Sequence, residues 1–252
     1  MAGHSHAANV MYRKGAVDRR RAALYSKLAR LIIVAAKTGG GDPDMNLRLK
    51  YSIEKARAAN MTNDSIRRAI QKGTGELGGQ TFDDIHYEGY GPGGVAFLAA
   101  ALTDNRARTA GEVKSIFDRG GGSIGTPGSV AWQFEKKARV RAEAGGKTED
   151  EVFLALADAG AEDLRLEDGK WVAMGAPESL GALRAALETL GLAVADSDVS
   201  FEPKNLVEVT DVPTARKVLA ILEGLQEHDD VQSVTANFDI PEAVLARAAE
   251  EP

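Results

Sequence analysis

Between Arg139 and Ser200 the hydrophobic pattern changes its period in a fixed order, and few folds accept that order. Arg139 to Ala142 alternates as a strand. Thr148, with Glu151 three residues on, is a capping box that opens a helix to about Ala159. Leu164 and Leu166 alternate on a second strand, Asp168-Gly169 is a hairpin turn signal, and Lys170 to Met174 is the return strand. Pro177 opens a helix that runs to Leu190 and stops at Gly191; Leu192 to Ser200 holds a last strand. The order β-α-β-β-α-β is the split βαβ, or ferredoxin-like, arrangement.

The flanks read as two halves of a second such unit. Ile85 to Tyr87 and Val95 to Leu102 form a hairpin about Gly89–Gly94. Ala107 to Arg119 is a helix with Val113, Ile116 and Phe117 on one face, stopped by Gly120–Gly122, and Val130 to Phe134 is a short strand. After residue 204 come a strand (Leu206–Val209), a helix (Val212–Gln226), a strand (Val231–Phe238) and, past Pro241, a short helix. The expectation is a discontinuous α+β domain, 81–134 plus 205–240, with 135–204 inserted as its own βαββαβ domain.

Ahead of these lies a helical segment. Leu24, Leu28, Leu31, Ile32 and Ala35 recur at helical spacing in a helix from about Asp18 to Lys37, ended by Gly39–Gly41. Asp42-Pro43 opens a second helix bearing Leu49, Ile53 and Ala56, with Asn60 as a left-handed terminator. Thr62 caps a third, with Met61 and Ile66 at the hydrophobic-staple positions and Gly73 at its end. Residues 1–75 are thus expected as a basic helical domain, and GTGELGGQ (73–80) as a linker. The fold class is α+β multidomain: an N-terminal three-helix domain followed by two ferredoxin-like α/β domains, one inserted in the other.

Charge divides along the same line. Residues 1–80 hold 15 Lys+Arg against 6 Asp+Glu, and the remaining residues hold 16 against 31. A basic head on an acidic body points to a polyanionic partner, although the whole chain carries −6. Of the 252 residues none is cysteine, so disulfides, thiolate metal sites and cysteine nucleophiles are excluded. No apolar run approaches about 20 residues and no secretory h-region is evident. The expected location is cytoplasmic.

The motifs of small-molecule chemistry are thin. Gly89-Tyr-Gly91-Pro-Gly93-Gly94 matches G-x-G-x-x-G, but strand-like Val95-Ala-Phe-Leu follows it, whereas a dinucleotide site needs a helix there. A glycine-rich hairpin is the better reading. No P-loop, nucleophile elbow or zinc-protease spacing is present. His4-x-His6 offers two ligands on a terminal arm, too few for a firm metal site; His86 and His228 read as strand-surface and helix-end residues. No cofactor, metal or catalytic residue is expected. Thr103-Asp104-Asn105-Arg106 joins a strand to a helix, and reads either as an N-cap by Thr103 or Asp104 or as a partner-contact loop on a rigid scaffold.

The basic residues are the candidate nucleic-acid contacts: Arg13, Lys14, Arg19, Arg20, Arg21, Lys27 and Arg30 on or before the first helix, and Arg67, Arg68 and Lys72 on the third. Lys and Arg gain from phosphate by releasing condensed counterions. Tyr12 and Tyr25 add stacking capacity, and Tyr25 reads equally well as core.

In order along the chain stand Met1-Ala-Gly-His-Ser5, Arg13-Lys14, Gly39-Gly-Gly-Asp-Pro43, Asn60-Met61, Arg68-Ala-Ile70, Tyr87-Glu-Gly-Tyr-Gly-Pro92, Leu102-Thr-Asp-Asn-Arg106 and Gly128-Ser-Val130. In this combination the chain resembles the YebC/PmpR family, which includes the mitochondrial translational activator of cytochrome oxidase subunit one. His6 and Ala7 stand where that family usually has Lys-Trp, and Ala107 where Asn is common. The resemblance implies three domains, no enzymatic activity and a role in gene expression. That role is either a ribosome-associated translation factor contacting rRNA or tRNA and easing difficult, for example proline-rich, synthesis, or a DNA-binding transcriptional regulator. A protein-only adaptor, or an enzyme with a site near the Gly89–Gly94 hairpin, is the contrasting reading; no membrane or small-molecule partner is expected.

Overall fold

The computed structural model describes residues 17–79 and 81–250, with side chains described for 23–79 and 81–249. The chain is α+β and separates into two compact units: Phe134–Glu202, and the described residues on either side of that segment.

In the first unit, helices α1 (Val17–Gly39), α2 (Leu47–Ala58) and α3 (Asn63–Thr74) come first. Their apolar stripes meet in one core: Leu28, Ile32 and Ala36 from α1, Leu49 and Ile53 from α2, Ile66 from α3. Thr62 accepts a hydrogen bond from Ser65 N as N-cap of α3, Met61 and Ile66 share the core, and Asn60 is left-handed (φ 62°). Two expected boundaries move. Asp42-Pro43 lies in a turn, and α2 is opened instead by Asn46, whose Oδ1 accepts from Leu49 N while its amide donates to Ala35 O and Gly40 O, both at 2.8 Å. Gly73 does not end α3. It lies inside the helix where a Cβ would fall 2.5 Å from Ile33 O, so it lets α3 cross α1 closely; Gly75 (φ 90°) is the cap.

The same unit holds a four-stranded sheet in the order β3-β1-β2-β9, made of β1 (Asp83–Tyr90), β2 (Ala96–Thr103), β3 (Ser123–Ile124) and β9 (Val231–Ala236). The pairings β1·β2, β1·β3 and β2·β9 are all antiparallel. Helices α4 (Arg106–Arg119) and α7 (Val212–Glu227) supply Val113, Phe117, Val218 and Ile221 to its core. Phe97 and Phe117 meet edge to face at 5.8 Å. Gly89 belongs to β1, not to the turn: it pairs with Phe97 of β2 and Ile124 of β3, and a Cβ there would sit 2.6 Å from the Phe117 ring. That contact makes Gly89 a packing residue and removes the nucleotide-loop reading of the G-x-G-x-x-G string.

Two expected strands differ. Val130–Phe134 is no strand: Ala131–Gln133 forms a 3-10 turn and Phe134 begins the next strand. The backbone N–H groups of Gly128, Val130 and Ala131 all donate to the Glu88 carboxylate, so they are spent before any ladder can form. Residues 206–209 reduce to β8 (Val207–Glu208), which pairs in parallel with β10 (Phe238–Asp239) rather than joining the main sheet. The last helix is α8 (Glu242–Glu250).

The second unit is β4 (Phe134–Glu143), α5 (Glu149–Ala157), β5 (Ala161–Glu167), β6 (Lys170–Gly175), α6 (Leu180–Thr189) and β7 (Val194–Pro203). The Thr148–Glu151 capping box is formed in both directions. Asp168 (φ 49°) and Gly169 (φ 75°) are both left-handed, the requirement of a type I′ hairpin. The sheet order β5-β6-β4-β7 is the ferredoxin-like one, with Val140, Trp171, Leu156, Leu183 and Leu187 beneath the two helices.

Candidate nucleic-acid interface

The helical core leaves one face of α3 outside. Asp64, Arg67, Arg68, Gln71 and Lys72 recur at three- and four-residue spacing opposite Ile66 and Ala69. Arg67, Arg68 and Lys72 are exposed. Arg67 pairs with Asp64 at 2.6 Å; Arg68 and Lys72 make no ion pair among the described residues. On α2, Arg48, Lys50 and Arg57 are also exposed. These outward cations cost nothing in desolvation and remain available to phosphate.

Lys27 and Arg30 face elsewhere. Lys27 Nζ donates to Gln226 O at 2.7 Å, a cation at the C-terminal end of α7, where the helix dipole favours it. Burial, and after it the neighbouring Arg30 charge, hold the Lys27 ammonium below its ordinary pKa against the opposing pull of Asp229 and Glu227. Arg30 donates to Asp229 O, pairs with the Asp230 carboxylate at 3.1 Å and lies over the Phe82 ring. The guanidinium is 16 % exposed and the carboxylate 2 %. Both residues therefore tie α1 to the turn between α7 and β9.

Asp230 is the hub of that tie. Its Oδ2 accepts from Thr109 Oγ1 (2.6 Å), Arg108 Nη2 (2.7 Å) and Thr103 Oγ1 (3.1 Å). Burial alone would raise its pKa, but these donors and the Arg30 charge outweigh it and keep the carboxyl below its ordinary value. The Thr103–Arg106 loop is built around this hub. Asn105 caps α4 by accepting from Arg108 N, which corrects the expected cap at Thr103 or Asp104; Thr103 is instead buried and accepts from Asn105 N. Asp104, Asn105 and Arg106 are exposed, and Arg106 lies 3.6 Å from Asp83.

Beside Asp230 opens a groove of about 620 Å³, lined by Arg30, Arg108, Arg119, Glu112, Glu227 and His228 among others. His228 Nδ1 accepts from Asp230 N, leaving Nε2 to donate to Glu112 at 2.9 Å. Three guanidinium groups face four carboxylates here, so the groove lacks the positive field a polyanion needs. Among the described residues no three His, Asp or Glu side chains gather to hold a metal.

Of the remaining candidates, Arg13 and Lys14 lie outside the described residues, as do Tyr12, His4 and His6. Arg19, Arg20 and Arg21 fall within α1, and their side chains are outside the described set. Tyr25 donates to Asn60 O at 2.8 Å, a bond that pins α1 to the turn between α2 and α3.

The residues that organise this unit were not among the sequence candidates. Glu88 gave no signal beyond being a carboxylate in an apolar strand, and Asp230 reads as one more acid in a polar turn. Both belong to, or bind, the segments whose order carries the family resemblance: Tyr87–Pro92 with Gly128–Val130, and Leu102–Arg106.

Comparison with known proteins agrees with that resemblance. Residues 5–76 match the model of the TACO1/YebC protein N-terminal domain, and residues 82–238 match that of the TACO1/YebC second and third domain. The chain belongs to the TACO1/YebC family. A relative from Moorella thermoacetica is 48% identical over 97% of this chain and 98% of its own, and one from Desulfotalea psychrophila is 44% identical over 99% and 100%. Both are named probable transcriptional regulatory proteins. The crystal structure of a conserved hypothetical protein from Aquifex aeolicus superposes with a TM-score of 0.84 at 43% identity, covering 91% of this chain and 95% of that one. No described helix of this chain is long and apolar enough to cross a membrane.

Proposed function

We propose that this protein is a non-enzymatic, nucleic-acid-binding regulator of gene expression that acts on the ribosome in the cytoplasm. Its basic head contacts rRNA or tRNA there, and the protein eases synthesis of difficult stretches such as proline-rich ones. The observation that carries the reading is the outward row of Arg67, Arg68 and Lys72 on α3, with Arg48, Lys50 and Arg57 on α2, set on a packed helical core and scarcely neutralised. Arg13, Lys14, Arg19, Arg20 and Arg21 extend the same charge along the chain. Residues 1–75 are the binding part. The discontinuous domain 81–134 plus 205–240 and the inserted domain 135–204 position it or meet a protein partner, with Asp104, Asn105 and Arg106 as one exposed contact loop.

A second reading is a DNA-binding transcriptional regulator, favoured by the names of the relatives. Co-sedimentation with ribosomes, alongside binding to random duplex DNA from low to physiological salt, separates the two. Retention on ribosomes at physiological salt, lost on charge reversal of Arg19, Arg20 and Arg21, is the expected result. Tight DNA binding without ribosome retention would put transcription first. Binding to neither would leave a protein-only adaptor.

A further inference from the structure

Among the described residues of the first unit, Trp132 is the one large aromatic side chain left open to solvent, 65 % exposed, whereas Trp171 in the second unit is 3 % exposed. An open indole costs hydration free energy, yet this one is held in place from every side. Its Nε1–H donates to Ser129 O at 3.0 Å, and the same carbonyl accepts from Tyr90 Oη at 2.9 Å. The backbone just before it is fixed by Glu88, which takes the N–H groups of Val130 and Ala131. Just after it, Gln133 donates to Tyr90 Oη and accepts from Asn237 Nδ2, whose Oδ1 is bound by Ala96 N. Lys204 closes the frame: its N–H donates to Gln133 O and its Nζ to Trp132 O, both at 2.9 Å.

With its only polar atom bonded to Ser129, the indole has just its apolar rim and π face to offer. Lys204 is exposed, has no carboxylate partner among the described residues, and keeps two N–H donors beyond the one on Trp132 O. Residues 120–134 contain no charged side chain, and Glu88 is consumed by three backbone donors, so nothing in this segment repels an anion. A rigid π face beside an uncommitted cation is the pairing that holds an unstacked base and its phosphate.

We infer that Trp132, with Lys204, is a stacking platform for an unpaired RNA base, a second contact separate from the basic helices; the inference rests on the nucleic-acid reading above. Duplex DNA keeps its bases stacked and offers no free face, so the site distinguishes single-stranded RNA from a duplex.

The full-length chain supplies its own probe. Fluorescein-labelled 12-mer oligouridine is titrated in low salt and followed by anisotropy, while indole emission is recorded in parallel with unlabelled oligomer. A 12-base-pair DNA duplex and a decaproline peptide serve as the other ligands. The expected result is quenching that saturates with the anisotropy and is lost in Trp132→Phe, which leaves only the buried Trp171 emitting. Trp132→Leu, which keeps apolar bulk without the ring, should weaken oligouridine about 5-fold or more, while Trp132→Phe keeps part of the affinity. Binding by anisotropy with unchanged emission and an unaffected Trp132→Leu would overturn the platform and leave the basic-head reading standing. Equal quenching by the duplex, or quenching by decaproline alone, would overturn the assignment to an unpaired base. No binding of either nucleic acid would overturn both.

Discussion

Replacing Glu88 by Gln changes one atom of a buried carboxylate, and the structure fixes what that costs. Oε1 accepts from Gly128 N at 2.6 Å; Oε2 accepts from Val130 N at 2.7 Å and Ala131 N at 2.8 Å. The amide has one acceptor oxygen. Turned toward Val130 and Ala131, it sets its NH2 against the Gly128 N–H, donor facing donor. One charge-assisted bond is lost and two weaken to neutral ones, for a total of about 2–4 kcal/mol. Burial by itself would raise the Glu88 pKa, but the three backbone donors win and hold it below its ordinary value of 4.5. A depressed folded-state pKa adds stability above the unfolded-state value that is lost as pH falls through the folded one. The deficit of Glu88→Gln is therefore full at pH 7 and narrows below about pH 4.5. Urea unfolding read by circular dichroism measures this. A deficit under about 0.5 kcal/mol at pH 7, or one that does not narrow in acid, would refute the account, because surface substitutions fall in that range.

Charge reversal on α3, Arg68→Glu with Lys72→Glu, should lower the slope of log affinity against log salt by about 2 without moving the thermal midpoint by more than a degree or two, as salt titration and calorimetry would show. Arg30→Met should do the reverse: about 2 kcal/mol of stability lost from the first unit through the abandoned Asp230 carboxylate, with the salt slope unchanged. Asn46→Ala removes the cap of α2 and the side-chain donor to Gly40 O in one step, and urea melts should register a loss of about 2–3 kcal/mol.

The fold was readable wherever local chemistry decides it. The capping box at Thr148, the Asp168-Gly169 turn, the staple at Met61 and the left-handed Asn60 each depend on residues within a few positions of one another. Reading failed where a distant atom decides. Gly73 carries the usual mark of a helix end, but the carbonyl it must clear belongs to Ile33. Val130–Phe134 has the composition of a strand, yet its backbone donors go to Glu88 some 40 positions earlier. Asn46 outcompetes Asp42-Pro43 as a cap because its amide also satisfies Ala35 O on the preceding helix, a bond no local pattern announces.

The same limit governs the candidate site. Lys27 and Arg30 sit three apart on α1; Arg68 and Lys72 sit four apart on α3; by residue type and helical spacing the two pairs look alike. What separates them is the end of α7, 199 positions away, where Gln226 O, Asp229 O and the Asp230 carboxylate receive the first pair. The sequence therefore reports how much positive charge the head carries, while the fold decides how much of it is spent. A cation answered by a buried carboxylate contributes to stability and little to a distant phosphate, because its field is already cancelled at short range. Binding strength should thus follow the outward cations of α2 and α3 rather than the total count, so neutralising Arg30 and neutralising Arg68 are opposite experiments on the same kind of side chain.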